Sequence, residues 1–171
     1  NNEVFLEGDL HEVSFKGIGF EHVHIEVENP GKEFHLGLYS ERVNLTDSIF
    51  LGAFEISSFT FNDSLGLVVN WDNETKIKNK AHLKGVASFP KNEQISFHLE
   101  ESQVTIAGLE WEVLPENLVL IDTTAINFSN FRFLNDEQSI GLNGIIAKDP
   151  LAKLNVRLRD FDLSNFNLAT K

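Results

Sequence analysis

At 171 residues, 42% of them hydrophobic and 23% charged, the chain is long enough for one sizeable domain and short for two. A formal charge of −12 and an isoelectric point near 4.8 exclude a nucleic-acid partner, whose phosphates demand clustered Lys and Arg, and disfavour docking by charge onto an anionic membrane surface. Cys is absent, which excludes disulfides and thiolate metal sites.

Apolar runs reach only four or five residues, Leu118 to Ile121 being typical, so none is long enough to cross a bilayer as a helix. No basic, apolar, small-residue signal peptide opens the chain. Position 1 is Asn and there is no Met, which predicts a chain that starts inside a longer gene product or after cleavage, so that any membrane anchor or export signal would lie upstream. Fifteen Phe stand against one Tyr and two Trp. Saccharide-binding faces use the polar rims of Tyr and Trp, whereas Phe offers only hydrocarbon, so a dry apolar interior is expected.

From the N-terminus, Val13 and Phe15 alternate with Glu12, Ser14 and Lys16, and Val23, Ile25 and Val27 alternate with His22, His24, Glu26 and Glu28. Phe34, Leu36 and Leu38 follow, then Val43 and Leu45. Residues 72–82 are polar and predict a turn or short helix. Alternation resumes through Ile95, Phe97 and Leu99, then Val104 and Ile106, then Leu109, Trp111 and Val113. It continues with Ile126 and Phe128, Phe131 and Phe133, and Ile140 and Leu142. This period of two belongs to strands with one dry and one wet face. Asp149-Pro150 before Leu151, Leu154 and Leu158 has the cap, first-turn Pro and spacing of a helix, yet Leu154, Val156 and Leu158 also alternate with Asn155, Arg157 and Arg159. Strand is expected there, because strands surround it. Parallel pairing needs long crossovers for which there is no room, so the expectation is one antiparallel all-β unit over residues 1–171, with about a dozen or more strands of about five residues.

A motif of two apolar pairs separated by two polar residues recurs. It reads Ile18-Gly-Phe20-Glu-His-Val23-His-Ile25, then Phe54-Glu-Ile56-Ser-Ser-Phe59-Thr-Phe61, Ile126-Asn-Phe128-Ser-Asn-Phe131-Arg-Phe133 and Phe161-Asp-Leu163-Ser-Asn-Phe166-Asn-Leu168. Phe97-His-Leu99-Glu-Glu-Ser102-Gln-Val104 is a degenerate copy. The two-residue gap slips the facing by one, and a strand keeps its apolar side inward across such a slip only through a bulge. Repeated kinks in a curved sheet are expected. Strands this numerous and one-sided must bury their apolar faces in a sandwich, a barrel, or a trough open to a guest.

The stretch Gly108-Leu109-Glu110-Trp111-Glu112-Val113-Leu114-Pro115-Glu116-Asn117 is followed by Ile126-Asn127-Phe128-Ser129-Asn130-Phe131 and by Gln138-Ser139-Ile140-Gly141-Leu142-Asn143-Gly144. Asp149-Pro150-Leu151 and Leu154 to Phe166 complete the series. This order of W-x-V-x-P-x-N, N-F, Q-x-I-x-L-x-G and D-P-x-x-x-L-x-V resembles the TamB-type envelope proteins of the AsmA-like group, particularly those of the Bacteroidetes. The likeness is strongest over residues 100–168; before that only the alternating texture agrees. It implies a β-taco, a sheet curled into a U with a hydrophobic groove, in a periplasmic protein anchored in the inner membrane. It also implies passage of phospholipid, or of outer-membrane protein segments, together with an outer-membrane barrel partner.

On this reading the groove that holds lipid or client is lined by Phe97, Leu99, Val104, Ile106, Leu109, Trp111, Val113, Ile126, Phe128, Phe131, Phe133, Ile140, Leu142, Leu154, Val156 and Leu158. The other fold that fits is a closed β-sandwich or jelly roll, acting as a ligand-binding or adhesion module. No enzymatic activity, cofactor or metal is expected. His22, His24 and Glu26 at alternate positions could supply metal ligands or form a solvated face. Asp72 with Glu74, Glu100 with Glu101, and Asp160 with Asp162 lie among other charges, where neither carboxyl has the apolar setting that general acid–base work requires. Trp111 fits a ligand platform or a core position.

Overall fold

In a computed structural model, residues 3–15, 17–29, 31, 33–46, 49–61, 63–73, 75, 78–90, 94–106 and 108–160 are described. They form thirteen strands, with no helix among the described residues. These are β1 (Val4–Phe15), β2 (Ile18–Asn29), β3 (His35–Asn44), β4 (Phe50–Phe61), β5 (Ser64–Asp72), β6 (Lys80–Ser88), β7 (Ile95–Leu99), β8 (Ser102–Ile106), β9 (Leu109–Val113), β10 (Leu118–Ile121), β11 (Ala125–Asn135), β12 (Gln138–Ala147) and β13 (Leu154–Arg159). Two-residue links join β1 to β2, β8 to β9 and β11 to β12; Gly17, Gly108 and Asp136 in them take φ of 86°, 81° and 47°, the left-handed backbone that tight hairpins demand.

All thirteen strands belong to one antiparallel sheet. From β1 to β6 each strand pairs with its successor. Next, β7 and β8 lie end to end along β6, Gly85–Ser88 facing Ser96–Leu99 and Lys80–His82 facing Gln103–Thr105. In the following lane β9 lies against β8 and β10 against β7, and both pair with β11. The strands thus occupy eleven lanes of a continuous meander ending in β12 and β13. Flattened, it would be on the order of 50 Å wide at about 4.8 Å per lane. Open twisted sheets beyond about ten strands curl, and this one is curled; among the described residues its edge strands β1 and β13 are not bonded to each other, so the described strands do not close into a barrel. The described strands provide no second sheet to make a sandwich.

The curl follows two creases. Along the first, His11, His22, Glu41 and Ala53 fall outside the ladder while their neighbours stay in register: Leu10 with Val23 and Glu12 with Glu21, Val23 with Ser40 and Glu21 with Arg42, Ser40 with Phe54 and Arg42 with Gly52. His22 and Ala53 sit at φ 49° and 40°. Each lane carries one extra residue at the same level, so apolar residues three apart, such as Phe20 and Val23, keep to one face. Along the second crease β7 stops at Leu99 and β8 starts at Ser102, and β9 stops at Val113 and β10 starts at Leu118. In β11 the register against β12 shifts between Phe128 and Phe131, with Asn130 at φ 53°. One bulge bends one strand; a row of them bends the sheet.

Interrupted ladders leave backbone groups that must find partners. At the first crease the fully buried Ser40 hydroxyl lies 2.8 Å from the Glu21 carbonyl and 2.9 Å from that of Arg42. At the second, the Asn117 carboxamide behaves as a peptide group. Its Oδ1 accepts from the Leu99 N–H (2.7 Å) and its Nδ2 donates to the Leu99 carbonyl (2.8 Å) and the Leu114 carbonyl (2.6 Å). No buried side-chain polar atom among the described residues lacks a partner.

Three of the predicted slips are present, in β2, between Leu99 and Ser102, and in β11. The one expected between Ile56 and Phe59 is not: Glu55–Phe61 pair with Ser64–Asn70 without a shift, and the extra residue of β4 is Ala53. Phe59 and Phe61 therefore face away from Phe54 and Ile56, 44% and 42% exposed and stacked at 5.7 Å. Ser58 takes the inward place instead and is buried. The copy at 161–168 lies outside the described residues. Eight strands run nine residues or more rather than about five; in β2 and β11 the polar gap of the motif is a kink inside the strand and not a turn between strands. Residues 154–159 are strand, preceded by a turn in which the Asp149 carboxylate accepts from the Leu151 N–H (2.8 Å). Of the polar stretch 72–82, the described part is the end of β5, a loop closed by the Asn73 N–H on the Asn79 carbonyl (3.0 Å), and the start of β6.

Candidate apolar trough

Paired residues of an antiparallel ladder share a face, and the register carries one apolar face through every lane. Ile25 pairs with Leu38, Leu38 with Ile56, Ile56 with Val69, and Val69 with Leu83. Ala87 then pairs with Phe97, Phe97 with Val119, and Val119 with Phe128. Ser40, Ser58, Thr60 and Ser102 are polar exceptions on this face.

All sixteen residues expected to line the groove lie on it. Val104 pairs with Trp111, Ile106 with Leu109, Val113 with Phe133, Phe133 with Ile140, and Ile140 with Leu158. Phe131 pairs with Leu142 and Leu142 with Val156; Ile126, Phe128 and Leu154 stand in the neighbouring rows, and Leu99 opposite Gly85. Exposure divides them. Leu99, Val104, Trp111, Val113 and Phe131 are buried, Trp111 to 3%, and Leu99, Val113 and Phe131 serve as core under the second crease. Leu99, Val113, Val119 and Phe131 form its centre, with Phe97, Phe128 and Phe133 packed around them. Ile106, Val156 and Leu158 are exposed near the rims. Phe97, Leu109, Ile126, Phe128, Phe133, Ile140, Leu142 and Leu154 are half-buried and within reach of a guest. The Phe97 ring lies where a Cβ on Gly85 would stand, 2.6 Å away, so only glycine permits that placement.

The N-terminal lanes carry the same face, which the expected groove did not include. Phe20, Ile25, Leu38, Ile56, Leu67 and Val69 are half-buried, while Val23, Val43 and Phe54 beside the first crease are buried. Their alternation was the available signal. The chain, of 19.3 kDa, exposes 11912 Å², against about 8,500 Å² for a compact monomer of that mass.

The opposite face is polar and, at its N-terminal end, acidic. Glu7 stands directly across from Glu26, and Glu12 from Glu21. His24 lies between these acids: its Nδ1 is 2.8 Å from Asp9 Oδ1 and its Nε2 3.9 Å from Glu7 Oε1. The Asp9 hydrogen bond, helped by the charges of Asp9, Glu7 and Glu26, raises its pKa above 6.5 against a smaller opposing desolvation. His22 turns instead to Glu41 (2.8 Å) and meets the His11 ring edge-on. His22, His24 and Glu26 thus have separate partners, and among the described residues no three His, Asp or Glu side chains converge to hold a metal. Glu100 and Glu101 mark the exposed β7–β8 break and Asp72 ends β5; Glu74 and Asp162 lie outside the described residues. In the β10–β11 turn Asp122 Oδ1 accepts from the Thr124 hydroxyl and the Thr124 and Ala125 N–H groups, which lowers its pKa, the hydroxyl contributing most. No helix among the described residues is long and apolar enough to cross a membrane.

Comparison with protein-family models, with curated proteins and with solved structures finds no match.

Proposed function

We propose that the curled sheet holds an elongated apolar guest, the acyl chains of a phospholipid, along its inner face, as a non-enzymatic segment of a TamB-like protein of the cell envelope. The observation that carries this reading is one apolar face running through eleven lanes with no second layer of described strands upon it. Burying a methylene against such a face contributes about 0.8 kcal/mol. A dozen methylenes give roughly 10 kcal/mol before the cost of ordering the chain, and no positive charge is needed. The acidic outer face keeps the trough in solution. Periplasmic location, an outer-membrane barrel partner and the handling of outer-membrane protein segments rest on the likeness over residues 100–168.

Native mass spectrometry of the purified chain, and crosslinking with a photoreactive phospholipid, test the proposal. Retained lipid and labels on inner-face residues of β2–β6 are expected, and Leu67→Arg, at a half-buried inner position, lowers capture at least tenfold in a protein with unchanged circular dichroism. A chain that emerges lipid-free and takes up neither lipid nor an apolar dye overturns it, as does full capture by folded Leu67→Arg.

A further inference from the structure

Of the four arginines, Arg42 is held by Asn44 and lies over the Phe50 ring, and Arg159 pairs with Asp160. Arg132 and Arg157 have no ion pair or hydrogen bond through their guanidinium groups among the described residues, in a chain with 26 acidic side chains. The register sets these two in one row of the outer face: Arg132 pairs with Gly141, and Gly141 with Arg157. Two lanes separate their Cα atoms by about 10 Å, and the residue between them has no side chain. The next row pairs Asn143 with Asn155, and Asn130 stands at the bulge. A depression of about 520 Å³ is lined by these two arginines, the three asparagines, Gly141 and the edges of Phe131 and Leu142, with no carboxylate. The three carboxamides are likewise uncommitted among the described residues, and β11, β12 and β13 contain no Asp or Glu.

Two guanidinium groups facing each other across a glycine repel unless an anion lies between them. Their planar forks match the oxygens of a tetrahedral oxyanion, and carboxamides supply neutral donors beside it. We infer that the Arg132–Gly141–Arg157 row binds a phosphate group, free or as the headgroup of a phospholipid. The inference does not rest on the lipid-holding trough, because the row lies on the opposite face.

Titration with inorganic phosphate, followed on the arginine Nε–H and asparagine side-chain NMR signals, tests the site. Titration with vesicles of phosphatidic acid in phosphatidylcholine, against phosphatidylcholine alone, distinguishes the source. Saturable shifts confined to Arg132, Arg157, Asn130, Asn143 and Asn155 are expected with either probe; phosphate alone names a free anion and vesicles alone a headgroup. Arg132→Gln and Arg157→Gln, both at exposed positions, each weaken binding at least tenfold. Gly141→Val does the same without altering charge, its Cβ meeting only ordinary contacts at 3.9 Å or beyond. Absence of binding to both probes overturns the inference, as does binding that Gly141→Val leaves intact, since that signifies diffuse attraction.

Discussion

At the first crease β1–β4 each insert one residue and keep their register, whereas at the second β7/β8 and β9/β10 are severed and β11 shifts. The first way preserves every lane; the Ser40 hydroxyl meets the Glu21 and Arg42 carbonyls, and beside Ala53 the Asn73 carboxamide accepts from the Gly52 N–H (2.8 Å) and donates to the Phe50 carbonyl (2.9 Å). The second frees more backbone, which the Asn117 carboxamide gathers from Leu99 and Leu114, and it lets side chains from both sides of the bend meet as a packed cluster. Both bends bury apolar side chains beside them, Val23, Val43 and Phe54 at the first and Leu99, Val113 and Phe131 at the second. The trough accordingly has buried positions along both creases, with half-buried residues such as Ile25, Leu38, Leu67 and Val69 in the lanes beside them.

Large-to-small substitution should separate the two regions most clearly. Phe131→Ala is expected to cost about 3–5 kcal/mol in urea unfolding, and Phe20→Ala, on a half-buried ring, about half of that. Equal losses would mean that the N-terminal face is as tightly packed as the other. Next come the polar plugs. Asn117→Leu leaves the Leu99 N–H and carbonyl without partners and should cost about 3 kcal/mol, against about 1 kcal/mol for Ser40→Ala. A mild Asn117→Leu would remove the distinction between the creases.

Smaller effects belong to the acidic end. Glu26→Lys replaces a repulsive cross-strand pair with Glu7 by an attractive one and should stabilise by about 0.2–1 kcal/mol; a loss on this substitution would show the repulsion to be already relieved. The smallest effect is the pH dependence of His24. Its raised pKa means that the protonated form is favoured by folding, so this contribution is complete below about pH 6.5 and is lost as pH rises through the folded-state pKa. The difference in unfolding midpoint between the wild type and His24→Gln should shrink from pH 5.5 to pH 8. Parallel curves would sever His24 from Asp9.

Alternation made the apolar face legible, because successive side chains of a strand point to opposite sides whatever lies beside it. The motif also revealed three kinks, since an apolar pair three apart can share a face only across a bulge. It misled in β4, where Ser57-Ser58 was read as a gap; Ser58 points inward, and Phe59 lies over Gly66 on the other side. Nothing near Asn117 announces that its partner is Leu99, because that bond depends on which lanes become neighbours. For the same reason the sixteen expected lining residues shared a face without sharing an exposure: packing across the second crease, not local pattern, buried Leu99, Val113 and Phe131.

By itself the sequence determined that this chain is an antiparallel all-β sheet with one apolar side, a consequence of a period-two pattern that each strand carries within its own residues. Only the tertiary structure decided the lane order, where the sheet creases, which part of its face is shut, and that Arg132 and Arg157 flank a glycine. Each of these depends on pairing between residues far apart in the chain, and a shift of one residue in register would undo it.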